Sequence, residues 1–183
     1  MVVHESAVAS IKRLIAPLLV GIPVMLLVVA SLGGLSESNI PGLPVVPFAT
    51  LISLPVDIWI RDIAMAVTVG GAIVGGVLAP RPDARVGRLT SGAALVWLMA
   101  LAIQAVLTVS EVLAMPLDAA FDPTIMWSLL TQTTLGRIIL IQFVLVGLVA
   151  LLGWVVLERI TGMLVSVAAI TAAGLLGFTG HSG

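Results

Sequence analysis

The side chains able to do chemistry are few, and they gather at similar positions relative to the apolar runs. Asp57, Arg61 and Asp62 fall within one hexapeptide, Glu111 follows Gln104 by two helical turns, Arg137 precedes Gln142 by about one, and His181 follows the last apolar run. Asp57 and Arg61 are four apart, a spacing that allows an ion pair on one helical face. Glu111 could pair with Arg137 or Arg61 across helices. Charges close to hydrocarbon are costly and are either paired, snorkelling or functional. Asp57, Arg61, Asp62, Glu111 and Arg137 therefore read as a shallow polar cavity, or else as two interfacial arginine anchors with carboxylates nearby. A metal site here would have to use His, Met and carboxylates, because the chain has no cysteine. Thioethers suit Cu(I). The candidate ligands are His181, Met115, Met126 and Asp122, with Asp118 and Glu111 on the same side. Met65 and Met99 fall deeper and read as packing, and His4 reads as part of an N-terminal tail.

Catalysis finds no such set. Gly180-His181-Ser182-Gly183 looks like the opening of a nucleophile elbow, but that motif needs a strand before it and a closing glycine one residue later. Haem ligation in a bundle calls for paired intramembrane histidines, and His4 and His181 are not such a pair. The chain is expected not to be an enzyme, with no catalytic residue assigned.

These residues must be carried by helices in lipid. Of 183 residues, 60% are hydrophobic and 9% charged, with a mean hydropathy of +1.26. Soluble domains average about a quarter charged residues. A net charge of -1 offers no nucleic-acid footprint, so the lipid bilayer is the expected partner. A span needs roughly 20 apolar residues. Five segments are expected to cross, at about 14–32, 58–79, 89–113, 135–157 and 160–178, making residues 1–183 a single all-α membrane domain. Lys12-Arg13 ahead of the first run suggests a signal peptide, but its roughly 19 apolar residues exceed the usual h-region, and the run reads as a retained helix.

Residues 33–57 and 114–134 are read as outer loops. Pro41, Pro44, Pro47 and Pro55 predict an extended or turn-rich chain in the first, and Asp122-Pro123 predicts a helix start in the second. Six of the eight basic residues, Lys12, Arg13, Arg81, Arg85, Arg88 and Arg159, fall on one side. Cytoplasmic loops carry the excess of Lys and Arg, which puts the N-terminus inside and the C-terminus outside. Gly71 and Gly75, and later Ala169 and Ala173, have the small-residue spacing of ordinary close helix packing.

Three motifs in this order resemble the CopD family of copper-resistance membrane proteins. Asp57-Ile58-Trp59-Ile60-Arg61-Asp62, followed by Val69-Gly70-Gly71, looks like that family's early helix. Leu130-Thr131-Gln132-Thr133-Thr134-Leu135-Gly136-Arg137 is similar to its T-x-x-G-R motif, and Thr179-Gly180-His181 resembles its G-H-[AS] signature. Together they span roughly residues 57–183. The resemblance implies copper as the cargo, moved or received at the cytoplasmic membrane, with His181, Met115 or Met126 and the acidic groups lining an outer site. It also implies a copper chaperone or an oxidase as partner, since actinobacterial members often carry a CtaG-like cytochrome oxidase assembly region. Members continue past the G-H motif with further helices, so the resemblance implies a shortened relative or part of a longer polypeptide. The alternative is an accessory subunit of a larger membrane complex, which would need no ligands.

Overall fold

A computed structural model describes residues 21–31, 45–79, 83–153 and 159–178. The described residues form helices and connections with no strand. They are α1 (Gly21–Ser31), α2 (Phe48–Ile73, continued by a π turn, Val74–Leu78), α3 (Ala84–Leu113), α4 (Leu117–Ala120), α5 (Pro123–Gln132), α6 (Thr134–Leu152) and α7 (Arg159–Gly174, continued by a 3₁₀ turn, Leu175–Phe178). Phe48–Leu78, Ala84–Leu113 and Thr134–Leu152 are long and apolar enough to cross a membrane, while Gly21–Ser31 and Thr161–Gly177 are apolar but shorter. The architecture is an all-α membrane helix bundle.

Helices α2, α3, α6 and α7 form a ring in which each packs on two others: α2 on α3 and α7, α6 on α3 and α7. Alanines fill the space where they meet, with Ala64, Ala72, Ala94, Ala169 and Ala172 buried around Trp97, Leu101, Val146 and Val165. Lipid tails are as apolar as leucine, so close packing of small residues, rather than escape from water, holds such helices together. Leu89, Val144, Leu148, Leu164 and Val167 face outward.

The end of the ring near Arg85 is drawn together by glycines. A Cβ on Gly76 of α2 would run into the backbone carbonyl of Gly162 on α7, and one on Gly87 of α3 would meet the carbonyl of Gly153 at 2.8 Å. Ser166 Oγ sits at the first crossing, 2.9 Å from both Ala72 O and Gly162 O, so its one hydrogen is shared between α2 and α7. Within the G-x-x-x-G spacing, Gly71 and Gly75 face Thr90 and Val86 of α3.

Two expected loops carry helix instead. Helix α2 begins at Phe48 rather than at 58, with Pro55 inside it. Proline removes one N–H from the ladder, but membrane helices tolerate this where neighbours satisfy the freed groups. The early turns here bury Thr50 and Asp57. At 31 residues, the α2 span is about 46 Å long at 1.5 Å per residue, longer than the roughly 30 Å of hydrocarbon. A helix of this length crosses tilted or extends past the hydrocarbon at its ends. The second connection holds α4 and α5, and α5 starts at Asp122-Pro123 as the dipeptide predicts. Helix α3 starts at Ala84, ahead of the expected 89, because Asp83 caps it by accepting from Arg85 N at 2.8 Å.

Candidate functional site: a polar column below a thioether corner

The end of the ring near Thr50 is held by hydrogen bonds. Helices α2 and α3 run antiparallel, so residues early in α2 meet residues late in α3. Thr50 Oγ1 lies 2.6 Å from Ser110 Oγ, and Ser110 Oγ donates to Met115 O at 2.7 Å. A serine hydroxyl has one hydrogen, so Thr50 is the donor of the first bond. Met115 follows Ala114, whose left-handed φ of 46° ends α3.

Further in, Arg61 bridges the same two helices. Its Nε and Nη2 donate to Asp62 Oδ1 at 3.0 and 2.7 Å, and its Nη1 donates to Gln104 Oε1 at 3.0 Å. Between these tiers sits Asp57, 5% exposed, with Oδ2 buried and unpartnered. From Thr50 to Arg61 the column is about 16 Å deep at 1.5 Å per residue. It stops at Ala64, Leu101 and Trp97, which belong to the apolar core.

Two pairings that the sequence left open are not made among the described residues. Arg61 pairs with Asp62, not with Asp57, and this is the one ion pair among the described residues. Asp62 is half-exposed and keeps part of its hydration when charged, whereas an Asp57–Arg61 pair would strip both partners of water. Glu111 is exposed and bonds neither arginine. An amide, Gln104, takes the place facing Arg61, and Arg137 Nε is used in donating to Thr131 O at 2.8 Å.

The metal candidates separate likewise. Met115 and Met126 each pack half-buried against the same small cluster of Val106, Val109 and Ala120, which puts both methionines at one corner of the bundle. Asp122 is engaged elsewhere, since it caps α5 by accepting from Thr124 N at 2.7 Å. His181 lies outside the described residues, among which no group of three or more His, Cys, Asp or Glu could hold a metal. Residues Thr50 and Ser110 were not among the sequence candidates, because Thr50 fell in the expected loop. The apolar run Phe48-Ala49-Thr50-Leu51-Ile52, directly after Pro47, was the available signal.

The bonds from Thr124 hold the Asp122 carboxyl below the usual carboxylate range. A group whose pKa is lowered by folding stabilises the fold above its unfolded value, about 3.9, and loses that contribution as pH falls through the folded value. Acidification below about pH 4 is therefore expected to loosen the start of α5, read by the emission of Trp127 on that helix. Asp122→Asn keeps an acceptor without the charge, and its Trp127 signal should stay flat over that range; a wild-type acid transition unchanged in the variant would refute the assignment.

Residues 52–183 match the family model described as copper resistance protein D-like, N-terminal domain. The chain belongs to this copper resistance protein D-like family. No curated protein and no solved structure matches it.

Two of the CopD-like motifs acquire mechanical roles in this structure. In the first, Asp57 and Arg61 turn into the bundle, while Trp59 is positioned against α1, where its ring would obstruct a Cβ on Gly21. In the second, Thr133 accepts from Gly136 N at 2.9 Å and donates to Leu129 O at 2.7 Å. Gly136 lies so close to the backbone of Leu129 that no Cβ fits. T-x-x-G-R is thus the corner that folds α5 back onto α6, closed from outside by Arg137. The G-H signature, with His181, lies outside the described residues.

Proposed function

We propose that this CopD-like chain receives copper at the outer face of the cytoplasmic membrane and passes it on, by uptake or by delivery to a cuproprotein such as an oxidase under assembly. The role is transfer, with no bond made or broken in a substrate. The observation that supports this reading is the continuity between the methionine corner and the polar column: Met115 and Met126 each pack on one cluster, and the Met115 carbonyl receives the Ser110 hydroxyl that Thr50 also bonds. Thioethers favour Cu(I), and Met115, Met126 and His181 are its proposed ligands. Asp57 offers the next donor, a carboxylate oxygen with no partner of its own. The apolar core below Arg61 closes the inner end of the column, which fits a receiving site better than an open pore. The arginines at the far end support a cytoplasmic position for that end, by the positive-inside rule.

The test is anaerobic Cu(I) titration of the full chain in nanodiscs against a chromogenic chelator. Met115→Leu with Met126→Leu, and separately His181→Ala, should weaken binding about tenfold or more, the scale of loss for disturbed metal sites. Asp57→Asn removes a buried charge, so the fold should persist while copper accumulation by cells falls. A wild-type chain that binds no stoichiometric copper and co-purifies with a fixed membrane complex would replace this reading with that of an accessory subunit.

A further inference from the structure

On the lipid-facing side of α3, near its N-terminus, Arg85, Arg88, Leu89, Gly92, Ala93 and Val96 line a shallow groove that is mostly open to its surroundings. Their spacing of three and four places them along one helical face. At Gly92 the helix face is open and bare of side chain, and a Cβ there would meet nothing within 4 Å, which leaves a shallow depression between its larger neighbours. Leu89 and Val96 flank it with large exposed apolar side chains. Neither arginine joins an ion pair among the described residues. Asp83, the nearby carboxylate, accepts from the Arg85 amide through one oxygen and forms no ion pair with either guanidinium, and Arg88 Nε makes a long bond to Ala84 O at 3.3 Å.

We propose that this groove holds one anionic phospholipid, its phosphate on Arg85 and Arg88 and an acyl chain along Leu89, Gly92 and Val96. Guanidinium forks match phosphate oxygens in geometry as well as charge, and basic pockets at membrane helix ends take anionic head groups. Length decides between a lipid and a free anion. From Arg85 to Val96 the groove runs about 16 Å along the helix, close to the roughly 15 Å of one leaflet's hydrocarbon. A soluble phosphate would use the arginines and leave the apolar two-thirds of the groove without a purpose. The site is independent of the copper column, which lies at the other end of α3.

Native mass spectrometry of the full chain, released from mixed micelles of phosphatidylglycerol and phosphatidylcholine, tests this. The wild type should keep one phosphatidylglycerol about tenfold in preference to phosphatidylcholine. Arg85→Gln with Arg88→Gln should abolish the preference. Gly92→Leu, which fills the depression and leaves both charges, should reduce retention several-fold. All substituted side chains are on the groove surface, and circular dichroism verifies that the variants fold. Equal retention of the two lipids by the wild type, Gly92→Leu retention equal to wild type, or displacement by millimolar inorganic phosphate would each overturn the proposal.

Discussion

Gly76→Leu should leave the bundle unable to close α2 onto α7. A leucine there begins with a Cβ that collides with the Gly162 carbonyl, and backbone cannot rotate away as a side-chain tip can. The helices must separate, which also breaks the bond from Ser166 to Ala72 O. Overpacking costs about 1–3 kcal/mol and a lost hydrogen bond about 1 kcal/mol, so a loss of about 2–4 kcal/mol is expected. That is a large part of a typical stability of about 5–15 kcal/mol. Gly70→Ala is the matched control: nothing lies within 4 Å of a Cβ there, and replacing a mid-helix glycine should gain about 0.5–1 kcal/mol. Thermal or SDS unfolding in detergent, followed by circular dichroism, compares the two. Equal midpoints for Gly76→Leu and wild type would mean that α2 and α7 do not cross at this glycine.

Arg61→Met should be the most damaging substitution in the polar column. It removes three donated hydrogen bonds, leaves the Gln104 amide oxygen without its donor and takes away the cation one turn from Asp57. Breaking a fully buried pair costs about 3–5 kcal/mol, but Asp62 is half-exposed and recovers water, so the expected loss is about 2–3 kcal/mol. Adding Gln104→Met should restore more than half of it, because replacing both partners by apolar groups of similar shape is close to neutral. The same unfolding assay on the two single variants and the double variant gives the coupling. Strict additivity would show that Arg61 and Gln104 do not act as a pair.

Membrane residence and helical class were legible because they depend on composition and run length, which lipid reads without regard to the partner. The Asp122-Pro123 helix start was legible because capping is local: the carboxylate reaches an amide two residues on. The first helix boundary of the ring was not, since a proline such as Pro55 ordinarily signals a loop, and only the burial of Thr50 against Ser110 shows why the helix persists through it. The polar residues Asp57, Arg61, Asp62, Glu111 and Arg137 could be read together from their positions, but only Asp57, Arg61 and Asp62 lie in the column, while Glu111 and Arg137 are exposed. Spacing of four makes Asp57–Arg61 geometrically available, while the choice of Asp62 turns on how much water each carboxylate keeps.

Residue order alone thus carried the lipid-spanning character, the helix type, the segregation of arginines and the family motifs, all of which are properties of segments a few turns long. Which methionines share a cluster, which carboxylate holds Arg61 and which glycines let backbones meet were decided by the packing of the helices. Those outcomes depend on distances between residues far apart in the chain and on the dielectric each group finds there. No local pattern encodes either quantity.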